Sequence, residues 1–135
     1  MIMVCFETFM ERVIERGEYR SSDEADRAVL VVLALLGAHL IGHARARLAA
    51  LLPETFALVL LNPLPAAQPL NAERFVRATA AWIEGATEAT ALWDIGAVLS
   101  VVADIAGPGL MAQVLIQVPA DWPPLFGMPE HADAA

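Results

Sequence analysis

The chain has 135 residues, enough for one domain with a substantial core, and 58% of them are hydrophobic, so neither a metal nor a disulfide is needed to stabilise it. Eight basic residues, all Arg, face 16 acidic ones for a formal charge of -8, which repels nucleic-acid phosphates and speaks against a nucleic-acid partner. The single cysteine, Cys5, excludes an internal disulfide and fits a reducing compartment.

The first segment, about Phe6 to Arg16, places Phe6, Phe9, Met10, Val13 and Ile14 on one helical face, and Gly17 ends it. Its start, MIMVCFETFMERVIERGE, has no basic segment, no hydrophobic run of signal length and no small-residue cleavage site. Ser21 followed by Glu24 is a capping-box signal, and Ala25, Val29, Val32, Leu33 and Leu36 form the stripe of a second helix. That helix is apolar nearly all round beyond Arg27, as suits a central element. The longest clean apolar run, Ala28 to Ala38, has 11 residues where a bilayer crossing needs roughly 20. A cytoplasmic protein without membrane contact is expected.

A third helix is predicted over Ala44 to Leu52, and Phe56, Val59 and Leu60 beyond Pro53 form a short fourth turn or helix. Three prolines in Asn62 to Leu70 predict a stiff extended crossing. Asn71 then caps a helix carrying Phe75, Thr79, Trp82 and Ile83, and Thr87 precedes a long helix with Ala91, Ile95, Val98, Leu99 and Val102. Gly107, Pro108 and Gly109 break it, Leu110 to Val118 continues as another helix, and Trp122, Leu125 and Phe126 close the chain.

The second half repeats the first. Phe9 and Phe75 stand 66 positions apart, as do Pro53 and Pro119, with stripes and breaks in the same ungapped register between them. Each unit leaves an apolar face that stacking can bury. The expected fold is a single all-α domain, residues 1–135, of two packed, pseudo-symmetric three-helix halves forming a compact bundle. The units are about 6–61 and 72–127, linked by 62–71.

On SSDEADRAVLVVLALLGAHLIGHARARLAALLP in the first half and VLIQVPADWPPLF in the second, the chain resembles the bacterial family catalogued as domain of unknown function 2267. The resemblance implies an all-helical fold and brings no catalytic residues. The apolar IAGPGL, Ile105 to Leu110, departs from the family's more charged connection.

His39 and His43 have an i,i+4 spacing that can point two imidazoles one way, but a metal site needs further convergent ligands, so no metal and no cofactor are assigned. Cys5 carries no activation signal. Asp94 and Asp104 lie about 15 Å apart along a helix axis, too far to act as a carboxylate pair. Glu18, Asp23, Glu24 and Asp26 lack the spacing of a calcium loop, and Ser21 and Ser22 lie in no nucleophile elbow. Gly107 and Gly109 do not form a phosphate cradle.

All three tryptophans lie in the second half. Trp82 and Trp122 match stripe or closing positions and are read as core, whereas Trp93 corresponds to Arg27 beside the stripe. Leu30, Leu35, Trp93 and Ala97 are therefore the candidate interaction surface. The leading reading is a non-catalytic helical interaction or structural protein that binds a protein partner or a second copy of itself. The alternative is a small-ligand-binding module with a pocket at the seam of the halves, bordered by groups such as His39, His43 or Gln113.

Overall fold

Apolar spacing and cap chemistry set the helices of the computed structural model, which describes residues 3–63 and 69–128. Helix α1 (Phe6–Gly17) buries Phe9, Met10 and Val13, and the chain leaves it through Glu18 in the left-handed conformation at φ 54. In α2 (Ser22–Gly37), Ser21 accepts from the Glu24 amide while the Glu24 carboxylate reaches back to the Arg20 amide. Helices α3 (Gly42–Leu51) and α4 (Glu54–Leu61) follow, with Pro53 at the N-cap of α4. Asn71 caps α5 (Ala72–Trp82), and a Thr87–Thr90 capping box starts α6 (Glu88–Gln117). Gly107, at φ 79 and ψ 165, interrupts α6. Pro108 restarts it at a first-turn position, where the missing N–H has no intrahelical role. A 3₁₀ turn (Pro123–Phe126) closes the described chain.

The protein is all-helical among the described residues, as expected, but the halves do not each hold three helices. The first half has four, because the short turn or helix expected beyond Pro53 is a helix, Glu54–Leu61; a cap position tolerates Pro53, which offers no N–H to lose there. The second half has α5, the two-part α6 and the 3₁₀ turn. The extended crossing expected near 62–71 falls largely on residues 64–68, outside the described residues.

The 66-residue register recurs at several helix boundaries and in the buried stripes. Helices start at Phe6 and Ala72 and at Ser22 and Glu88, and end at Leu51 and Gln117. The stripe residues Ala25, Val29, Val32, Leu33 and Leu36 are fully buried, and so are Ala91, Ile95, Val98, Leu99 and Val102. Even a ring pair recurs, Phe9 with Phe56 at 5.3 Å and Phe75 with Trp122 at 4.5 Å. The core forms around α2 and α6: α2 packs on α1, α4, α5 and α6, and α6 on α1, α2, α3, α5 and the 3₁₀ turn. On length and composition alone α6 is apolar enough to cross a membrane, yet 50% of its most apolar window is buried inside this core.

Within the core, one register pair breaks the chemical match. Val13 and Thr79 are both fully buried, and the Thr79 hydroxyl has no hydrogen-bond partner. A buried hydroxyl without a partner costs about 1–3 kcal/mol. Thr79→Val is nearly isosteric and installs the residue type that Val13 already holds at the equivalent position. It is expected to stabilise the fold by about 1 kcal/mol, seen as a higher urea midpoint with an unchanged slope. A lower midpoint would show that the hydroxyl is satisfied in solution.

Candidate functional site

Polar bonds tie the halves together at four places, the fourth and simplest being the single bond from Arg47 to Gln113. At the first, His39 in the α2–α3 connection bonds the Leu35 carbonyl through Nδ1 (2.8 Å) and accepts the Leu70 amide at Nε2 (2.9 Å), while Trp122 Nε1 donates to the Leu70 carbonyl (2.8 Å). This arrangement requires the neutral His39 tautomer with its proton on Nδ1. The His39 and Trp122 rings pack at 4.7 Å, so Leu70 is clasped from both sides. At the second, the Gln117 amide bonds the Ile41 backbone in both directions. At the third, the end of α1 meets the first half of α6 and its middle: Trp93 Nε1 donates to the Gly17 carbonyl (2.8 Å), the Tyr19 hydroxyl donates to Asp94 Oδ1 (2.6 Å) and Arg16 pairs with Asp104 farther along the helix.

This third junction carries the candidate site, a cleft of about 370 Å³. The first half contributes Gly17, Glu18, Tyr19, Arg20, Glu24 and Arg27 to its wall, and the second contributes Ile83, Glu84, Gly85, Ala86, Thr90 and Trp93. These are the same six register positions, each 66 residues apart, with Asp94 added. The cleft is thus the place where one turn of each copy meets its counterpart. The copies differ there in chemistry: the first supplies the phenol and both guanidiniums, the second small residues and an indole.

Its electrostatics are unusual for a partly open surface. Burial pushes the Tyr19 hydroxyl well above the usual phenol range, and its bond to Asp94 and the charges of Asp94 and Glu24 push it the same way. Burial also raises the Asp94 carboxyl; the Tyr19 bond opposes that rise, Glu24 adds to it and Arg27 opposes it. Tyr19 is held by Gly17 as well, since a Cβ there would lie 2.1 Å from the Tyr19 ring. Beyond Trp93 the cleft gives onto a shallow groove of about 550 Å³, lined by Leu92, Trp93, Gly96, Ala97 and Leu125 with Arg16 at its edge.

The sequence-predicted residues scatter relative to this site. His39 and His43 do not share a helical face, because α2 ends at Gly37 and α3 begins at Gly42. Both His39 nitrogens are engaged, His43 is exposed, and no three metal-ligating side chains converge among the described residues. Neither histidine borders the cleft, and Gln113 instead bonds Arg47. Of the proposed surface, Leu35 and Ala97 are buried and Leu30 is partly buried, because α2 is covered on several sides and Ala97 forms the groove floor. Trp93 alone of the four is exposed, at 54%. Trp122 is core as read, but Trp82 is 60% exposed: α5 ends on that residue, and its buried face is Phe75, Val76 and Thr79. Cys5 is an exposed N-cap residue whose thiol, bonded to the Thr8 hydroxyl, sits below its ordinary pKa.

A family model described as an uncharacterised conserved protein, DUF2267, matches residues 6–125. The chain belongs to the DUF2267 family. No curated protein matches it. In this DUF2267 protein the residues that sequence reasoning missed are Tyr19, Leu92 and the cleft role of Arg27. One signal was available for Tyr19: it is the only tyrosine, and its register partner is Gly85, so a large polar ring stands on one side of the repeat and nothing on the other.

Proposed function

We propose that this DUF2267 domain is a non-catalytic binding module of the cytoplasm whose site is the cleft at the seam of its two halves. The observation that carries this reading is the lining: six equivalent positions from each copy meet around one concave, charged space, with Trp93 and the Tyr19–Asp94 bond fixing its walls. Ligand sites favour such junctions, where a few polar groups converge beside apolar surface. A screen of small fragments against isotope-labelled protein should shift the Trp93 indole N–H and the Gly85 amide before other signals. Hits spread over the surface that leave both signals unmoved would contradict the reading.

A second reading, docking of a protein partner, is favoured by Leu92 and Trp93, which stand half-exposed along the apolar groove next to the cleft. A photo-crosslinker at Ala89 should then capture one discrete partner in cells, and Leu92→Asp should abolish the capture without altering the helical spectrum. Capture that survives this change would place the partner elsewhere.

A further inference from the structure

We propose that the seam cleft takes a small zwitterion, an α-amino acid with an apolar side chain, its ammonium against Asp94 and Glu24 and its carboxylate against Arg27 and Arg20. The proposal rests on the small-ligand reading and gives that ligand a chemical class.

Four carboxylates, Glu18, Glu24, Glu84 and Asp94, and two guanidiniums, Arg20 and Arg27, line the cleft, and no salt bridge joins any of them. Among the described residues the ion pairs are Arg16 with Asp104, and Arg77 with Glu73 and Glu88. None of them joins two groups of the cleft. Asp94 uses Oδ1 for the Tyr19 hydroxyl and Glu24 uses Oε1 for the Arg20 amide. The second oxygens of Asp94 and Glu24, and both guanidiniums, make no hydrogen bond within the described residues and are available to a ligand.

The mixture of signs selects the ligand. A simple cation leaves Arg20 and Arg27 without a counter-charge, and a simple anion meets four carboxylates and the acidic field of a chain with formal charge -8. A molecule with both charges engages groups of both signs at once. Its ammonium also relieves the cost of holding Asp94 ionised in a partly buried position, a cost visible in that carboxyl's raised pKa. Trp93 lines both the cleft and the neighbouring apolar groove. A side chain directed away from the charged end therefore passes over the indole toward Leu92.

The test is a nuclear magnetic resonance titration of the full chain with three probes: L-leucine, 3-methylbutylamine, which lacks the carboxylate, and 4-methylpentanoate, which lacks the ammonium. L-Leucine should shift the Trp93 indole N–H and Gly85 amide saturably, and each analogue should bind at least about tenfold more weakly, the cost of one lost charge-assisted contact. Asp94→Asn keeps an acceptor for Tyr19 and Arg27→Gln changes a side chain that makes no hydrogen bond, so both should fold; each should weaken L-leucine binding about tenfold. An amine that binds as tightly as L-leucine overturns the zwitterion class. No response to L-leucine up to its solubility overturns the proposal; fragments that still shift the Trp93 and Gly85 signals would leave the seam site standing, and their failure would remove that too.

Discussion

Replacing Trp122 with alanine is expected to lower stability by about 3–5 kcal/mol, the range for truncating a fully buried large aromatic. The side chain is 0% exposed, stacks on Phe75 at 4.5 Å, packs on His39 at 4.7 Å and donates to Leu70 at 2.8 Å. It therefore joins the closing turn, α5, the α2–α3 connection and the end of the linker. Domains of this size have about 5–15 kcal/mol in total, so the variant is best measured by urea unfolding in the Thr79→Val background. Trp122→Phe separates the contributions: it keeps the stacked ring and leaves the Leu70 carbonyl without its donor, for an expected loss of about 1–3 kcal/mol. Equal losses for the two variants would mean that the hydrogen bond, not packing, dominates.

Gly37→Ala should destabilise strongly, against the ordinary trend in which alanine stabilises a helix by about 0.5–1 kcal/mol over glycine. Gly37 is the last residue of α2, and a Cβ there would lie 2.4 Å from the Leu60 carbonyl oxygen and 3.2 Å from Pro63 Cβ. The obstacle is backbone, so α2 and α4 must move apart. Overpacking of this kind costs about 1–3 kcal/mol or more. Gly96→Ala in α6 is the control of opposite sign: a Cβ there meets nothing within 4 Å, and a gain of about 0.5–1 kcal/mol is expected. If Gly37→Ala matched Gly96→Ala in thermal unfolding, the close α2–α4 approach would be wrong.

The helices are legible because their signals are local and redundant. Ser21, Asn71 and Thr87 cap where their side chains predict, and the 66-residue register carries the buried stripe from Val29 to Ile95 and from Leu33 to Leu99. Trp82 escapes the pattern because a stripe position at the very end of a helix has no neighbour to cover it. Leu35 is buried against expectation because an all-round apolar helix does not reveal how many sides its neighbours occlude. The site itself is the least legible part. Tyr19 and Asp94 are 75 residues apart in sequence, and neither belongs to a motif. What the sequence does contain is the contrast between copies, Tyr19 against Gly85 and Arg27 against Trp93, and the fold places both contrasts in one cleft.

Protonation offers a direct handle on that cleft. Tyr19 has its folded pKa raised above the unfolded value near 10, so the folded state keeps a proton that the unfolded state has released. Its contribution to stability is present below about pH 10 and is lost as pH rises beyond it. The same sign holds for Asp94, whose raised carboxyl favours the fold at acid pH and loses that contribution as pH rises through its folded value. Asp94→Asn should accordingly retain full stability at neutral pH.

The most direct test of the seam as a built site is the alkaline absorbance titration of Tyr19, the only tyrosine in the chain. The partly buried bond to Asp94 predicts that the tyrosinate band stays absent through about pH 10 and grows only at higher pH, together with loss of the helical signal. A tyrosinate band that grows with an ordinary phenol midpoint while the helices remain intact would place Tyr19 in solvent and contradict the account.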